Sequence, residues 1–527
     1  MQRCRQAPPY NAGPWPPTTR AAFRVRCSLV SLLRSDLAQW RAHPLRELLA
    51  GSVATFALIP EVIAFSFVAG VDPQVGLYAS FVLSVVIAVF GGRPAMITAA
   101  AGSVALVAAP LVATHGLSYL FAAGVLAGMM QVLFGALRLG VLMRFVSSSV
   151  RTGFVNALAI LIFAAQLPHL HGSNAATWGM LGLGLGIIYG VPRLPLPGVQ
   201  TIPSPLICIV VLSVLAVALG LPLETVSDLG RLPEALPHWL GLPQVPLTWE
   251  TLRIVALPAL AIAMVGLLES LMTARVLDEL TDTPSPKNRE AAGLGLANIA
   301  ASLFGGIAGC GMIGQTVSNA KYGGRGRLST LFAGLLLLVL MVLLKPWVAQ
   351  VPVVALVAIM VMVSIETFDW RSLRTLARHP RLSSAVMLAT VAVTLATQNL
   401  AAGVAVGVLC SGVFFSLKVA RLLQVVHEDH VDGMRLYRVS GQVFFASADA
   451  FVDAFDPGTL PGQQVEIELE QARFWDITAV AALDTVVTRL RHHGVRVRVH
   501  GLDAHSRSLL RRVRQQGESA GGVIDDL

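Results

Sequence analysis

Apolar segments dominate the chain from about residue 48 onward, separated by short stretches that carry most of the charge. By length and hydropathy they predict helices at 50–69, 74–90, 98–112, 118–137, 148–166, 175–190 and 205–220. After a polar stretch, seven more fall at 254–276, 291–304, 312–321, 328–346, 351–365, 383–398 and 401–421. Several are shorter than the roughly 20 residues that cross a bilayer. Beyond 422 the pattern changes. Residues 427–442, HEDHVDGMRLYRVSGQ, are polar, and 465–469 alternate apolar and acidic as a half-buried strand does. Val480, Leu483, Val486, Val487 and Leu490 share a helical face within 478–493, Val495, Val497 and Val499 alternate with arginines, and 505–513 reads as a basic helix. Strand, helix, strand, helix predicts a small α/β domain. The expected organisation is a basic tail over 1–47, an all-α polytopic membrane domain over 48–422, a polar linker over 423–432 and an α/β domain over 433–527.

Charge placement fixes the topology that this pattern allows. Only 13% of the 527 residues are charged, against about 25% in soluble domains. Basic residues follow the even-numbered segments: Arg93; Arg138, Arg144 and Arg151; Arg193; Lys287 and Arg289; Lys321, Arg325 and Arg327; Arg371, Arg374, Arg378 and Arg381. The connection after the seventh segment carries Glu224, Asp228, Glu234 and Glu250 against Arg231. Under the positive-inside rule both ends lie in the cytoplasm and that connection lies outside. Seven spans per half is an odd number, so the second half is inverted relative to the first, an architecture of transporters. The tail carries eight arginines up to Arg46 and five prolines within its first 17 residues, with no secretory cleavage pattern. It reads as a basic tail, with a surface helix over 31–40.

Two glycine-rich stretches occupy matching positions in the two halves. Residues 304–315 read FGGIAGCGMIGQ, and Phe90-Gly91-Gly92 precedes ITAAAGSVA at 97–105. A helix beginning near Gly311 would present free N–H donors and a positive dipole end inside the membrane, a site for a small anion without a basic side chain. Paired, interrupted segments of this kind point to a transporter's binding site.

Glu269 lies inside the eighth segment, where a carboxylate must face protein or a water-filled cavity. Thr273, four residues on, shares its helix face. Carboxylate and hydroxyl oxygens suit sodium or a carboxyl that gains and loses a proton, and a structural carboxyl remains the alternative. Glu61 follows Pro60, which would bend or break the first helix. By pattern alone Phe65 is a packing aromatic. The five cysteines have no paired spacing, and Cys310 reads as a small residue in a tight turn. His115, His169 and His171 read as solvated loop residues. No Walker A or G-x-S-x-G motif is present, which leaves an ATP-driven pump or an intramembrane hydrolase without its parts. Asp476 or Thr478 is placed to cap the helix that follows; phosphorylation of Thr478 is the regulatory alternative.

These residues resemble the SulP family of inorganic anion transporters, the solute carrier family 26 of animals. The resemblance rests on IPEVIAFSFVAGVDPQVGLYASF at 59–81, on GLLESLMTARVLDELTDTPSPKNREAAGLGLANIAASLFGGIAGCGMIGQT at 266–316, and on an ending similar to the STAS domain, VSGQVFFASA and ARFWDITAVAALDTVVTRLRHHGVRVRVHGLD. It implies a seven-plus-seven inverted repeat with core and gate parts, a homodimer in the plasma or inner membrane, and no enzymatic activity or cofactor. It also implies substrate between the starts of spans three and ten. Phe65 then belongs to the substrate pocket with Gly102, Ser103, Gly311, Met312, Gly314 and Gln315. Glu269 and Thr273 match the acid and hydroxyl that hold the coupling cation in sodium-dependent bicarbonate members. Three positions depart from the family pattern: Gly102-Ser103 replaces a common Gly-Pro, the acid of span eight is glutamate where relatives can have aspartate, and Gln315 is uncharged where some animal members carry arginine.

The function so implied is secondary transport of small inorganic oxyanions, sulfate or bicarbonate, by symport with sodium or protons. The alternatives are an anion channel or exchanger of the same fold, and a nutrient sensor whose STAS domain signals to a cytoplasmic partner. Nucleobase transporters share the fold but lack the STAS ending. The expected partners are the anion and the lipid bilayer, not nucleic acid.

Overall fold

In a computed structural model, the structure describes residues 43–140, 146–171, 174–193, 203–230, 232, 237–246, 248–376, 381–430, 434–456 and 464–516. Residues 1–42 of the basic tail, with the surface helix expected at 31–40, and Arg144, Arg231, Glu234 and Arg378 lie outside them, while the last residues expected in the tail, 44–47, open the first helix. The chain divides into two compact units, Met1–Val406 and Gly407–Leu527.

Fourteen helices occupy the positions that the apolar pattern predicts. The first seven are α1 (Pro44–Val68), α2 (Pro73–Phe90), α3 (Gly102–His115), α4 (Leu117–Ala136), α5 (Ser148–Ala164), α6 (Ala175–Gly190) and α7 (Ser204–Ala218). The second seven are α8 (Trp249–Thr281), α9 (Lys287–Leu303), α10 (Ile313–Lys321), α11 (Arg327–Leu343), α12 (Val353–Thr367), α13 (Arg381–Thr397) and α14 (Leu400–Ala420). Among the described residues seven helices are long and apolar enough to cross a membrane unaided. The shortest, α10, has 9 residues and depends on its neighbours. Prolines open α1 and α2, where a missing N–H costs nothing. Of the bend or break expected at Pro60, the break does not occur: α1 runs on through it.

Each half places a two-residue strand before its third helix. Strand β1 (Thr98–Ala99) precedes α3, and β2 (Cys310–Gly311) precedes α10. The expected helix at 98–112 therefore starts later, at Gly102, because its first residues are spent on pairing. The two strands pair antiparallel, Thr98 with Gly311 and Ala99 with Cys310. Antiparallel pairing of equivalent segments is what an inverted repeat requires. The packing follows the same symmetry: α4 lies against α8 and α9, while α11 lies against α1 and α2. A second group gathers α5, α6 and α7 around α12, with α13 on α5. Where α4 meets α9, a Cβ on Gly128 would lie 2.6 Å from the Gly295 carbonyl, so only glycine admits this approach of backbones.

Two buried acids fasten the loops at one end of the first group. Glu47 accepts the N–H groups of Arg325 (2.7 Å), Gly326 (2.8 Å) and Ser329 (3.1 Å), holding the start of α11. Glu290 accepts those of Gly92 (2.7 Å) and Arg93 (2.8 Å).

The second unit carries a four-stranded sheet in the order β3 (Gln424–Asp429), β4 (Met434–Val443), β5 (Gln464–Phe474), β6 (Arg496–His500). The first pair is antiparallel and the others parallel. Helices α15 (Ala448–Asp453), α16 (Ile477–His492) and α17 (Ala504–Gln516) complete it. Val465, Ile467 and Leu469 of β5 pack with Val480, Leu483, Val487 and Leu490 of α16. The stretch expected as a polar linker, 423–432, is largely β3. As an edge strand exposed along most of its length, it lacks the apolar alternation that betrays a strand.

Candidate anion site

The β1–β2 crossing sets two helix starts back to back. Both α3 and α10 begin without a capping side chain, Ala101 and Met312 being their N-cap residues. Their first-turn N–H groups, at Gly102 to Val104 and Ile313 to Gln315, therefore lie at the crossing without side-chain caps. The positive ends of two helix dipoles meet there, inside the apolar part of the fold.

Gly311 differs from the expectation. Its N–H is not free but donates to Ser270 Oγ at 2.8 Å, and its carbonyl accepts from Thr273 Oγ1 at 2.8 Å. Met312 donates its N–H to the Ile97 carbonyl at 2.9 Å. The donors left over belong one residue later, at the start of α10. Thr273 thus ties α8 to β2, where the sequence suggested an oxygen shared with Glu269. Gly314 is exposed, and a Cβ there would meet nothing within 4 Å, so it faces open space. Gln315 is buried, its side chain interacting with Glu61 of α1. The ring of Phe65 lies where a side chain on Gly102 would be, with Cε1 2.6 Å from an ideal Cβ. Pattern had made Phe65 a packing residue; it packs against the first residue of α3.

Glu269 reaches the crossing from α8. Its Oε2 accepts a hydrogen bond from Ser103 Oγ, in the first turn of α3, and a second from Cys310 Sγ at 3.1 Å. Ser103 and Cys310 themselves stand 3.7 Å apart. The structure therefore gathers Phe65, Gly102, Ser103, Glu269, Cys310 and Gln315 around the two helix starts.

Sequence reasoning missed a layer of polar side chains that holds the crossing. Asn298 accepts the Gly309 N–H at 2.8 Å and donates to Gln131 at 2.8 Å. Thr316 accepts the Ile97 N–H at 3.0 Å, and Asn319 donates to the Ala95 carbonyl at 2.9 Å. Each is a buried polar residue in a helix of the membrane domain, which was the available signal. Thr478 lies outside this constellation, in the second unit. It is exposed, and Asp476 alone caps α16, accepting from Ala479 N at 2.9 Å.

Two half-helices joined tip to tip by paired backbone, with an acid from the second repeat closing over them, define an inverted-repeat membrane transporter fold. The chain belongs to the sulfate permease family, whose profile matches residues 45–181 and 174–390, and it carries a STAS domain at 425–517. It is 48% identical over 475 residues to the Bacillus subtilis protein named "Putative sulfate transporter YbaR", covering 90% of this chain and 98% of that one. It is 27% identical over 421 residues to the Bicarbonate transporter BicA of Picosynechococcus, covering 75% and 72%. Among solved structures, the transmembrane domain of a cyanobacterial BicA aligns with TM-score 0.60 and 25% identity over 70% of this chain and 97% of that one. Murine Solute Carrier 26 family member A9 in the inward-facing state shares the fold, with TM-score 0.74 at 18% identity over 90% and 88%.

Proposed function

We propose that this protein is a secondary active transporter of small inorganic oxyanions, of the sulfate or bicarbonate class, coupled to a cation gradient through Glu269. The observation that carries this reading is the contact of Glu269 with Ser103 in the first turn of α3. It joins a titratable carboxylate to one of the two helix starts that would hold the anion. The names of the relatives support the substrate class.

In this reading the anion accepts N–H hydrogen bonds from the first turns of α3 and α10, each dipole end contributing roughly 0.3–2 kcal/mol. Phe65 closes one side. A negative Glu269 beside the site repels the anion, and neutralising it removes the repulsion, so anion and cation load together. Movement of the group built on α1–α4 and α8–α11 against the group built on α5–α7 and α12 would then expose the site alternately, as in other inverted-repeat transporters. The basic loops support cytoplasmic termini, and the resemblance supports a homodimer.

Purified protein in liposomes tests this reading, with sulfate, bicarbonate, chloride and dicarboxylates offered under sodium or proton gradients. Accumulation of sulfate or bicarbonate against its gradient is expected. Glu269→Gln should abolish the accumulation while the protein still folds, because an amide is cheaper to bury than a carboxylate. Full gradient-driven uptake by that variant returns Glu269 to a structural role. Flux that never exceeds equilibration would remove the coupling, and current far above transporter turnover would favour a channel instead.

A further inference from the structure

The resemblance to sodium-dependent bicarbonate carriers puts sodium beside Glu269, and the side chains there do not suit it. Sodium is a hard cation that is held by oxygen lone pairs; sulfur belongs to softer metals. Here one carboxylate oxygen, Oε2, receives two hydrogens, one from the Ser103 hydroxyl and one from the Cys310 thiol at 3.1 Å. The thiol occupies one of the directions from which a further oxygen would have to approach the ion. It is fixed there by backbone: Cys310 is fully buried and paired with Ala99 across the β1–β2 crossing. Thr273, the other expected ligand, gives its proton to the Gly311 carbonyl and keeps its oxygen lone pairs, so the thiol is what sets this pocket apart.

We propose that Cys310 determines the coupling ion, its thiol reserving the Glu269 pocket for a proton and excluding sodium. This rests on Glu269 being the coupling acid. A thiol can donate a hydrogen bond to the carboxylate, and it can accept one weakly from the protonated acid, so it serves both states of a proton carrier. A serine hydroxyl at the same place would do the same and would also offer a hard oxygen. The cysteine reads as the element of specificity, which its short and neutral side chain conceals in the sequence.

The full chain in liposomes tests this with radiolabelled sulfate, and with bicarbonate in parallel. Wild type is expected to accumulate anion under an inward proton gradient and to show no saturable response to sodium at fixed pH. Cys310→Ser should gain saturable sodium stimulation, about threefold or more, the scale of one altered hydrogen bond. Cys310→Ala, which lacks both donor and oxygen, should shift the pH giving half-maximal uptake without gaining a sodium response. Saturable sodium stimulation of wild type overturns the proposal, as does Cys310→Ser that matches wild type in both responses. Glu269→Gln separates the two levels: if it still accumulates anion, the coupling role of Glu269 fails first. If it does not, and the cysteine variants behave as wild type, the specificity of Cys310 alone fails. Size-exclusion profiles of all four proteins establish that they fold.

Discussion

Thr273 Oγ1 donates to the carbonyl of Gly311 at 2.8 Å, and one residue of α8 thereby holds the backbone of β2. Ser270, three residues earlier, takes the N–H of the same glycine at 2.8 Å. The helix that carries Glu269 and the strand that leads into α10 are therefore one rigid piece. Thr273→Val leaves a buried carbonyl without its donor, at about 1–3 kcal/mol. The expected result is a raised apparent KM for the anion at every cation concentration. A variant whose anion KM is unchanged while its cation response alone weakens would make Thr273 an ion ligand instead.

Gly102 and Phe65 are in contact in a way that leaves no room for a side chain at the first position of α3. A Cβ would stand 2.6 Å from Phe65 Cε1 and 3.0 Å from Cδ1, so the ring must shift. Overpacking of this kind costs roughly 1–3 kcal/mol. Gly102→Ala should raise the apparent KM by about tenfold, and adding Phe65→Leu should recover part of the loss. Additive effects in the double variant would show that the two residues act separately.

Gly309 and Gly314 give opposite expectations from similar sequence. A Cβ at Gly309 would lie 2.1 Å from the Ala99 carbonyl, where nothing can yield without breaking the crossing. Gly309→Ala should therefore lower the yield of monodisperse protein sharply. At Gly314 a Cβ enters open space. Gly314→Ala should fold normally and change only which anions are carried, smaller ones being favoured. Thermal unfolding and an uptake panel distinguish the two.

Asp476 holds the STAS domain at two points, accepting from Ala479 N at 2.9 Å and from Phe445 N at 2.8 Å. Asp476→Ala should destabilise that domain by about 1–2 kcal/mol, and Thr478→Ala should leave it unchanged, read from that domain's transition in a thermal scan. Asp503 supplies a pH dependence. The Ser506 hydroxyl, then the Ser506 backbone N–H, hold its carboxyl below the usual carboxylate range. A depressed acid contributes stability above its unfolded value, and that contribution is lost as pH falls through the lower folded value. Asp503→Asn should flatten the acid limb of the stability curve below about pH 4; an unchanged limb would place the acid sensitivity elsewhere.

The membrane fold was legible because hydropathy alone marks helices in a bilayer, and fourteen segments emerged where fourteen helices stand. The inversion was legible from arginine placement. The candidate site was legible as a region, since glycines in matched positions can only serve a backbone feature. What stayed hidden was which N–H groups remain unpaired. Gly311 looks like a free donor until Ser270 is seen to take its hydrogen. Cys310 looks like filler until its thiol is seen on Glu269. Both contacts join residues far apart in the chain, and periodicity carries no information about such pairs. The edge strand β3 was hidden for a different reason: solvent on its flank lets it be polar, and a polar strand resembles a loop.

The pairing of β1 with β2 also sets a schedule for biogenesis. Ile97 and Thr316, which support the crossing, are 219 residues apart. The first half can enter the membrane and acquire its helices while the ribosome is still making the second. Its glycine-rich segment has no partner strand during that interval. The crossing can close only once residues 310–311 have been made and pair with β1. Loss-of-function substitutions at the crossing should therefore be read first as assembly defects, visible in pulse-chase degradation before any change in transport is measured.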